Sequence, residues 1–430
     1  MKLLAEPGGA MSLGRICAIT ADCYPSDPLV RRTAEAAARC DYEYHVICSL
    51  DEGQLSEEVY NGVHVHRVCI RGRKNKPIGR ITAMPFCTMM MLWSWFAFIV
   101  FQKVARIHLK LNFDLIHAHN LPDFLVFSAL VPKLLGAKVV LHVQDVAPEL
   151  VASKFNGRFK RILVLLAKLQ EHLSTAFADH VLTVGLPMEQ RLLKRGVPPK
   201  KLSIVLNSAD PNMFPIEKRT EPFLREPTRD RPLILMFHGT LAYRSGVDIA
   251  IAALAKARTV AQHLCMRVMG AGASLLDLQE MTKRLGVADY VVFIPWRPID
   301  AVADFIAEGD IGIIPYRSDG FMDLLLPTKA YEYALMRRPM IASDISGIRS
   351  MFRSGSTILC EPASVDSFAD AIIDLYNHPR RRDELVTSAE IDNLDYRWEV
   401  SAEHYTDVLA SLISRKRSRH TKRKNTSSAQ

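Results

Sequence analysis

The sequence predicts an α/β protein of two domains, each built on a doubly wound parallel sheet. Short apolar runs alternate with helix-period stretches from the start: a strand at 15–20, a helix around 30–38 and a strand at 44–50. The alternation then starts afresh with a strand at 233–238. The 430 residues, 49% of them hydrophobic, are enough for two separate cores.

The remaining elements follow the same alternation. Further strand-sized apolar runs are predicted at 62–69, 114–118, 138–143, 180–184, 265–270, 290–294, 310–315 and 339–343. Further helical patterns are predicted at 158–175, 187–195, from 247, at 274–285 and at 328–337.

The domain boundary is predicted at 215–232, which is rich in proline and charge and lacks apolar periodicity. This linker separates an N-terminal domain, 11–214, from a C-terminal domain, 233–395. The remaining predicted segments are a disordered N-terminus at 1–10, a C-terminal helix at 396–414 and a basic disordered tail at 415–430. Ligands of such sheets bind beyond the carboxyl ends of the strands, so we expect a cleft where the two domains face each other.

The formal charge of +9 is concentrated at the C-terminus, where residues 415–424 hold seven positive charges. Without them the charge falls to +2, so the folded body has no nucleic-acid-binding footprint. The tail is predicted to be solvated or to contact anionic lipid headgroups.

The cysteines and the N-terminus favour the cytoplasm. The eight cysteines form no C-x-x-C pair and accompany no zinc-spaced histidines, which favours reduced thiols. The first ten residues lack the apolar core of a secretory signal.

The segment 84–101 is apolar and uncharged over 18 residues. A membrane span here would separate the two domains and destroy the fold. Two interpretations stay open: a helix buried in the N-terminal domain, or a helix half-sunk in a membrane interface with Trp93 and Trp95 at headgroup level.

The first candidate ligand loop follows the strand at 233–238 and contains Gly239, Arg244 and Gly246 before a helix. A glycine-containing turn at a helix N-terminus favours anion binding, and a guanidinium suits a diphosphate. Taken alone, the same pattern also fits an ordinary turn with an exposed arginine.

A second candidate loop begins at Leu326, and Pro327 and Thr328 predict the start of a helix. Lys329 and Glu332, three residues apart, then share one face. The ammonium can neutralise phosphate oxygens, while the carboxylate can accept hydrogen bonds from vicinal hydroxyls. A surface ion pair is the alternative.

Polar side chains also end the strands of the first half. His117 and His119 lie on the same side of the strand at 114–118, with His119 nearer the loop. Gln144, Asp145 and Asn207 end other strands. These residues predict either a contribution to the cleft or simple turn capping.

Taken in order, these motifs resemble family 4 of the retaining glycosyltransferases, which have the GT-B fold of two Rossmann-like domains. The resemblance covers nearly the whole chain and rests on residues 26–32, 114–120, 142–149, 205–214, 238–248, 269–272 and 326–343. It implies that Arg244 and Lys329 hold the donor diphosphate, Glu332 the ribose and His119 the donor sugar.

The resemblance also implies that the loop 295–298, with Trp296 and Arg297, faces the nucleobase. Gly239 belongs to the donor loop, and the C-terminal helix is expected to return to the N-terminal domain.

The sequence departs from the family pattern at some positions. Leu324 occupies the place of the first acid of the paired-glutamate motif, with Asp319 and Asp323 nearby. Thr240 and Ser245 replace basic residues of the donor loop, so Arg244 must carry that role.

The resemblance implies retaining transfer from a nucleotide sugar. The possible membrane contacts of 84–101 and of the basic tail favour a lipid-linked or surface-polysaccharide acceptor, with the enzyme in the cytoplasm or peripheral on the inner face of the membrane. No metal is expected, because Arg244, Lys329 and two helix N-termini would supply the positive charge at the diphosphate. Consistent with this, the sequence has no D-x-D pair. No cofactor is expected either. A nucleotide-sugar epimerase and an inactive membrane-associated scaffold remain alternatives. A nicotinamide-dependent dehydrogenase is disfavoured because no G-x-G-x-x-G follows the first strand.

Overall fold

The structure, a computed structural model, describes residues 12–69, 86–155, 157–215, 217, 225–298, 301–352 and 355–427. The predicted disordered N-terminus lies outside the described residues. So do 84 and 85 of the apolar segment, 216 and 218–224 of the linker, and 428–430 of the tail.

The N-terminal lobe contains an eight-stranded sheet. Its strands are β1 (Gly14–Ile19), β2 (Tyr42–Ser49), β3 (Glu57–Tyr60), β4 (Val63–Val68), β5 (Leu115–His119), β6 (Lys138–Val143), β7 (His180–Thr183) and β8 (Leu202–Ile204). They are ordered β3-β4-β2-β1-β5-β6-β7-β8, and only β3 pairs antiparallel. The central strands are buried on both faces, which explains their continuous apolar runs.

Within the described part of residues 12–215, six α-helices accompany this sheet: α1 (Pro28–Arg39), α2 (Phe86–Leu111), α3 (Leu130–Leu134), α4 (Ala147–Lys154), α5 (Lys160–Phe177) and α6 (Leu186–Lys194). Helix α1 begins at Pro28 because Asp27 caps it: its Oδ1 accepts from the backbone N–H groups of Leu29 and Val30 at 2.9 and 3.1 Å. A 3-10 segment, Asp123–Ala129, precedes α3.

The C-terminal lobe contains a six-stranded sheet that is entirely parallel. Its strands, in chain order, are β9 (Leu233–Thr240), β10 (Leu264–Ala271), β11 (Val291–Ile294), β12 (Ile311–Ile314), β13 (Met340–Ser343) and β14 (Ile358–Cys360). Its helices are α7 (Val247–Ala257), α8 (Leu275–Arg284), α9 (Val302–Ala307), α10 (Thr328–Leu335), α11 (Ser346–Met351), α12 (Val365–Asn377) and α13 (Pro379–Asp392).

The spatial order β11-β10-β9-β12-β13-β14 reverses its direction between β9 and β12. Such a switch point opens a crevice at the carboxyl ends of the strands, where ligands bind. The prediction of two α/β domains with doubly wound parallel sheets is confirmed.

Helix α14 (Trp398–Ser427) returns to the N-terminal lobe, as predicted. The hydroxyl of Tyr405 lies 2.9 Å from Nδ1 of His117 and 3.0 Å from the hydroxyl of Tyr44. The backbone of α14 stays helical through Ser427, across most of the range predicted as a disordered tail. Lysine and arginine are good helix formers, so a helix anchored upstream can propagate through them.

Helix α2 carries features of both interpretations of the apolar segment. A stripe of Phe96, Val100 and Val104 is fully buried in the lobe core. On the opposite side, Met91 and Trp95 are 74% and 52% exposed. Among the described residues, α2 contains the one stretch, Thr88–Leu111, that is long and apolar enough to cross a membrane.

The two lobes pack directly against each other. Phe321, Met322 and Leu324, which follow β12 of the C-terminal lobe, belong to the hydrophobic core of the N-terminal lobe. Leu326 packs directly against Gly185: a Cβ added to Gly185 would lie 2.5 Å from a methyl group of Leu326. This contact is part of the interface between the two lobes.

Candidate functional site

A cavity of about 410 Å³ lies between the lobes at the carboxyl ends of β9 and β12. Ser26 and Pro28 line it from the N-terminal lobe. The predicted donor-binding residues all line this same cavity: Gly239, Arg244, Trp296, Arg297, Lys329 and Glu332. Residues that are as much as 93 positions apart in sequence therefore share one pocket.

Arg244 lies in a short 3-10 turn, Tyr243–Ser245, between β9 and α7. Gly246 follows with a φ of +66°, and a Cβ there would lie 1.7 Å from the carbonyl oxygen of Pro315. Only glycine fits this position. The guanidinium carbon of Arg244 lies 5.4 Å from the centroid of the Phe321 ring. The glycine turn thus holds Arg244 at the cavity directly before the N-terminus of α7.

The outer side of this turn is fixed by Arg317. Its guanidinium forms a two-pronged ion pair with Asp248, at 2.8 and 2.6 Å, and lies 3.8 Å from the centroid of the Tyr243 ring. On the inner side, the hydroxyl of Ser245 donates to the carbonyl of Thr240 at 2.7 Å. The turn that carries Arg244 is therefore held from both sides.

Lys329 lies in the first turn of α10, where Pro327 precedes the helix as predicted. The side chain is buried, and its Nζ donates to the Tyr316 hydroxyl at 3.0 Å and lies 4.1 Å from the centroid of the Phe237 ring. Gly239 has a φ of +127°, and a Cβ there would lie 3.2 Å from this ammonium. The bare glycine leaves the ammonium accessible from the donor loop.

Glu332 is buried one turn further along α10. Nε2 of His238 donates to its Oε2 at 2.6 Å, and Nδ1 of His238 lies 3.1 Å from the Tyr333 hydroxyl. Burial raises the pKa of the Glu332 carboxyl, but the His238 hydrogen bond and the charges of Arg32 and Lys329 outweigh it, so the pKa lies below its usual value. Glu332 is therefore ionised at neutral pH.

Arg32 brings a positive charge toward this carboxylate from α1 of the N-terminal lobe. It is 1% exposed, donates to the Asn207 side chain, and its guanidinium carbon lies 5.5 Å from the Trp398 ring centroid. Burial lowers the pKa of Arg32, and the charge of Glu332 is the largest influence in the opposite direction.

The sequence motifs predicted no separate role for His238 or Arg32. His238 could have been found from its place directly before Gly239 at the end of β9, since that end borders the cavity. No local signal marks Arg32, because its partners come from other elements.

His119 is not among the described residues that line the cavity. It is 1% exposed and lies in a buried group with His117 and His142, whose ring centroids are 4.1 and 5.3 Å from its own. Burial lowers the pKa of His119 and His117 well below the usual value and that of His142 to about 3, so all three rings are neutral. Nδ1 of His119 lies 3.1 Å from the Gln144 side chain, toward the loop after β6.

The ring nitrogens of these three histidines lie within 4.8 Å of one another, a spacing compatible with metal ligation. His142 is stacked on His117 with an interplanar angle of 16° and on His119 with an angle of 29°. Lone pairs lie in the ring planes, so stacked rings do not direct them at one point. This geometry fits a packed aromatic group better than a metal site.

Asn120 connects the loops after β5 and β6. Its Oδ1 accepts from the backbone N–H of Gln144 at 2.7 Å, and its Nδ2 donates to Asp123 at 2.9 Å and to the carbonyl of Asp145 at 2.6 Å. Burial raises the pKa of the Asp145 carboxyl, and the charge of Arg244 across the cleft opposes this shift. The charge of Arg244 therefore acts across the cleft on Asp145, in the loop after β6.

Asp319 and Asp323 lie near Leu324, which occupies the place of the first acid of the paired-glutamate motif. Both carboxylates accept hydrogen bonds from backbone N–H groups. Asp323 accepts from the backbone N–H and the hydroxyl of Ser346 at 2.9 and 2.8 Å. Asp319 accepts from the backbone N–H of Met322 at 2.7 Å, and Leu324 is buried. Neither Asp319 nor Asp323 is among the described residues that line the cavity.

Two family models match the chain, and together they cover both lobes. Residues 27–208 match the glycosyl transferase 4-like domain, and residues 232–378 match the glycosyl transferases group 1 family. The chain belongs to the group 1, family 4 type of glycosyltransferases. The two matched segments correspond to the two lobes that share the cavity.

The curated relatives match this chain over part of their length. The alpha-D-kanosaminyltransferase of Streptomyces kanamyceticus is 26% identical over 161 residues, which are 37% of this chain and 40% of that protein. The chain therefore spans about two fifths of the length of this relative.

Solved structures match over nearly the whole chain and establish the GT-B fold. The sucrose-phosphate synthase of Thermosynechococcus elongatus superposes with a TM-score of 0.70 at 17% identity, covering 93% of this chain and 99% of that one. HepE of Anabaena, solved in complex with UDP-glucose, has a TM-score of 0.68 at 16% identity, covering 93% and 100%. The predicted GT-B fold is confirmed.

Proposed function

We propose that this protein transfers a sugar from a nucleotide-sugar donor to an acceptor with retention of the anomeric configuration. The observation that carries the proposal is the convergence of Arg244, Lys329 and Glu332, from two loops of the C-terminal lobe, on one interlobe cavity. The HepE complex with UDP-glucose, on the same fold, supports a nucleotide sugar as the donor.

Arg244 and Lys329 would hold the donor diphosphate. The N-termini of α7 and α10 begin beside these two side chains, so backbone N–H groups and helix dipoles add to the positive field. Charge develops on the diphosphate as the glycosidic bond breaks, and fixed positive groups stabilise it without reorganisation. The acceptor hydroxyl would attack the anomeric carbon from the face that the diphosphate leaves, and its proton would pass to the departing diphosphate oxygen.

Glu332 would bind the ribose of the donor. An ionised carboxylate only accepts hydrogen bonds, which suits two vicinal hydroxyls. Trp296 and Arg297 line the same cavity and would face the base. A contact between His119 and the donor sugar remains a prediction, because the ring is buried behind Gln144.

The diphosphate site proposed here needs no divalent cation, because the two side chains and two helix N-termini already supply positive charge. For the acceptor we propose a lipid-linked or surface-polysaccharide intermediate, with the enzyme on the cytoplasmic face of a membrane. The exposed apolar side of α2 supports this location.

Calorimetric titration of the full chain with UDP-, GDP- and ADP-sugars, with and without EDTA, tests donor binding and metal independence. We expect one nucleotide class to bind and EDTA to leave its affinity unchanged. NMR of the transfer product should show the anomeric configuration of the donor. Absence of binding to every nucleotide sugar would favour the inactive scaffold, and isomerised donor sugar without acceptor would favour an epimerase.

A further inference from the structure

Helix α5 is amphipathic, but its polar side faces the protein and its apolar side faces solvent. It buries Glu171, Ser174 and Thr175. Six apolar residues on or directly before it are each at least half exposed, at helical spacing: Phe159, Ile162, Leu165, Leu166, Leu169 and Leu173. An exposed apolar stripe of this size on a soluble protein marks a contact surface.

The buried polar side fixes this orientation. Both carboxylate oxygens of Glu171 accept from Nη1 of Arg195, at 2.8 and 2.6 Å, and the hydroxyl of Thr175 donates to the Glu171 carbonyl at 2.8 Å. Rotating α5 so that its leucines face the lobe interior would break this buried ion pair. Breaking a buried ion pair is strongly unfavourable. The outward leucines are therefore a stable feature of the fold.

Apolar side chains continue from α5 onto its neighbours. The 3-10 segment Asp123–Ala129 contacts both α2 and α5, and the rings of Phe127 and Phe177 meet edge to face at 5.1 Å. Beside it, Leu134 of α3 is 77% exposed. We define the α2–α3–α5 face by its exposed apolar residues on these elements: Met91, Trp95, Phe98, Phe127, Leu130, Leu134, Phe159, Ile162, Leu165, Leu166, Leu169 and Leu173.

The charge around this face has one sign. The sequence contains no Asp or Glu at 59–113, 124–144 or 150–170, the stretches that contain α2, α3 and most of α5. Exposed cations lie on α2 and on or just before α5: Arg106, Lys110, Arg158, Arg161 and Lys168. Apolar side chains with a tryptophan and a cationic border match the interface of an anionic bilayer.

Helix α4 connects this face to the cavity. It packs against α5 and begins two residues after Asp145. Burial lowers the pKa of Lys154 in α4, and the positive charge of Arg244 lowers it further. Lys154 therefore lies near the cleft. A lipid surface on α5 would therefore lie beside the N-terminal-lobe side of the cleft.

We infer that the α2–α3–α5 face docks on an anionic lipid bilayer, with the α5 leucines inserted below the headgroups and its cations at the phosphate level. The inference deepens the membrane location given under the proposed function and rests on it for the lipid-linked nature of the acceptor. The α5 leucines commit the face to lipid insertion. The exposed cations commit it to anionic headgroups, since Asp123 and Glu171, the acids on its described elements, are buried.

Co-sedimentation of the full chain with vesicles tests the inference. We expect binding to vesicles of phosphatidylcholine mixed with phosphatidylglycerol, and little binding to phosphatidylcholine alone. The double substitution Leu165→Glu/Leu169→Glu should weaken binding at least about tenfold, and Arg161→Glu/Lys168→Glu should remove the preference for phosphatidylglycerol. The matched control Val260→Glu/Leu276→Glu replaces two apolar residues of the C-terminal lobe, 66% and 76% exposed, and should bind as the wild type does.

Nucleotide-sugar binding, measured on the same samples, separates this inference from the proposed function. Both α5 variants should keep the donor affinity of the wild type, which also shows that they fold. Vesicle binding that is absent in the wild type, or unchanged in Leu165→Glu/Leu169→Glu, would overturn the inference whatever the donor result. A dimer in sedimentation velocity that only this variant loses would overturn it in favour of a second copy of the chain.

Discussion

The Nε2 atom of His238 lies 2.6 Å from Oε2 of Glu332, although the two residues are 94 positions apart in the chain. His238 ends a strand and Glu332 lies in a helix, and both are buried. This hydrogen bond, with the charges of Arg32 and Lys329, keeps the pKa of Glu332 low in spite of burial. His238 thus positions the carboxylate and keeps it charged.

Replacing His238 should weaken donor binding through Glu332. In His238→Ala we expect an affinity loss of about 10- to 100-fold, the range for a hydrogen bond to a charged group. Without its donor the pKa of Glu332 should rise, so the loss of binding on acidification should begin at a higher pH than in the wild type.

Calorimetry across pH measures both effects, with His378→Ala, an exposed histidine, as the control. His238→Gln should restore part of the affinity. If donor binding is lost on acidification at the same pH in His238→Ala and in the wild type, this positioning role of His238 is excluded.

Removal of either cation of the proposed diphosphate site should reduce turnover. We expect Arg244→Ala and Lys329→Ala each to lower kcat/KM by about 100- to 1000-fold, because each removes charge where the leaving group forms. Donor hydrolysis assays and thermal unfolding of the same samples measure this. Lys283→Ala, an exposed lysine at the end of α8, is the control. Wild-type rates in both cavity variants would refute the assignment.

Gly246→Ala should destabilise the C-terminal lobe. The methyl group would meet the carbonyl oxygen of Pro315 at 1.7 Å, and the φ of +66° strains any side chain. We expect a loss of at least about 2 kcal/mol in the free energy of unfolding. Gly320→Ala is the matched control, since a Cβ there meets nothing within 4 Å. Equal thermal midpoints for the two variants would contradict the described turn.

Asp123 should make stability depend on pH. Burial raises its pKa to about 7, in spite of the hydrogen bond from Asn120. Because this folded-state pKa lies above the unfolded value of 3.8, the folded state binds the proton more tightly. The contribution of Asp123 is therefore present below about pH 4 and is lost as the pH rises through about 7.

Asp123→Asn should remove this component, up to about 1.4 kcal/mol per pH unit within that window. Urea unfolding of the two proteins between these pH values measures the difference in slope. Asp289→Asn, at an exposed site, should keep the wild-type slope. A wild-type slope in Asp123→Asn would show that another group causes the pH dependence.

Local patterns predicted the elements and the donor loops because both depend on neighbouring residues. The strand predicted at 233–238 is observed at Leu233–Thr240. The helix start predicted from Pro327 and Thr328 is observed at Thr328, the first residue of α10. The convergence of Lys329 and Arg244 on one cavity was expected only through the family resemblance.

The sequence could not show which neighbours each side of a strand or helix would face. Alternation put His117 and His119 on one side of β5, but the hydroxyl that covers His117 comes from Tyr405, 288 residues later. The helical pattern at 158–175 likewise predicted a helix, α5, which carries an apolar stripe. It could not show that Arg195 would hold Glu171 inside and turn that stripe outward.

The return of α14 to the first sheet means that the polypeptide passes between the lobes twice, once after β8 and once before Trp398. The two lobes are therefore joined covalently at two places. Two crossings restrict the movement of one lobe relative to the other more than one crossing would, which favours keeping Ser26 and Pro28 opposite Arg244 across the cavity.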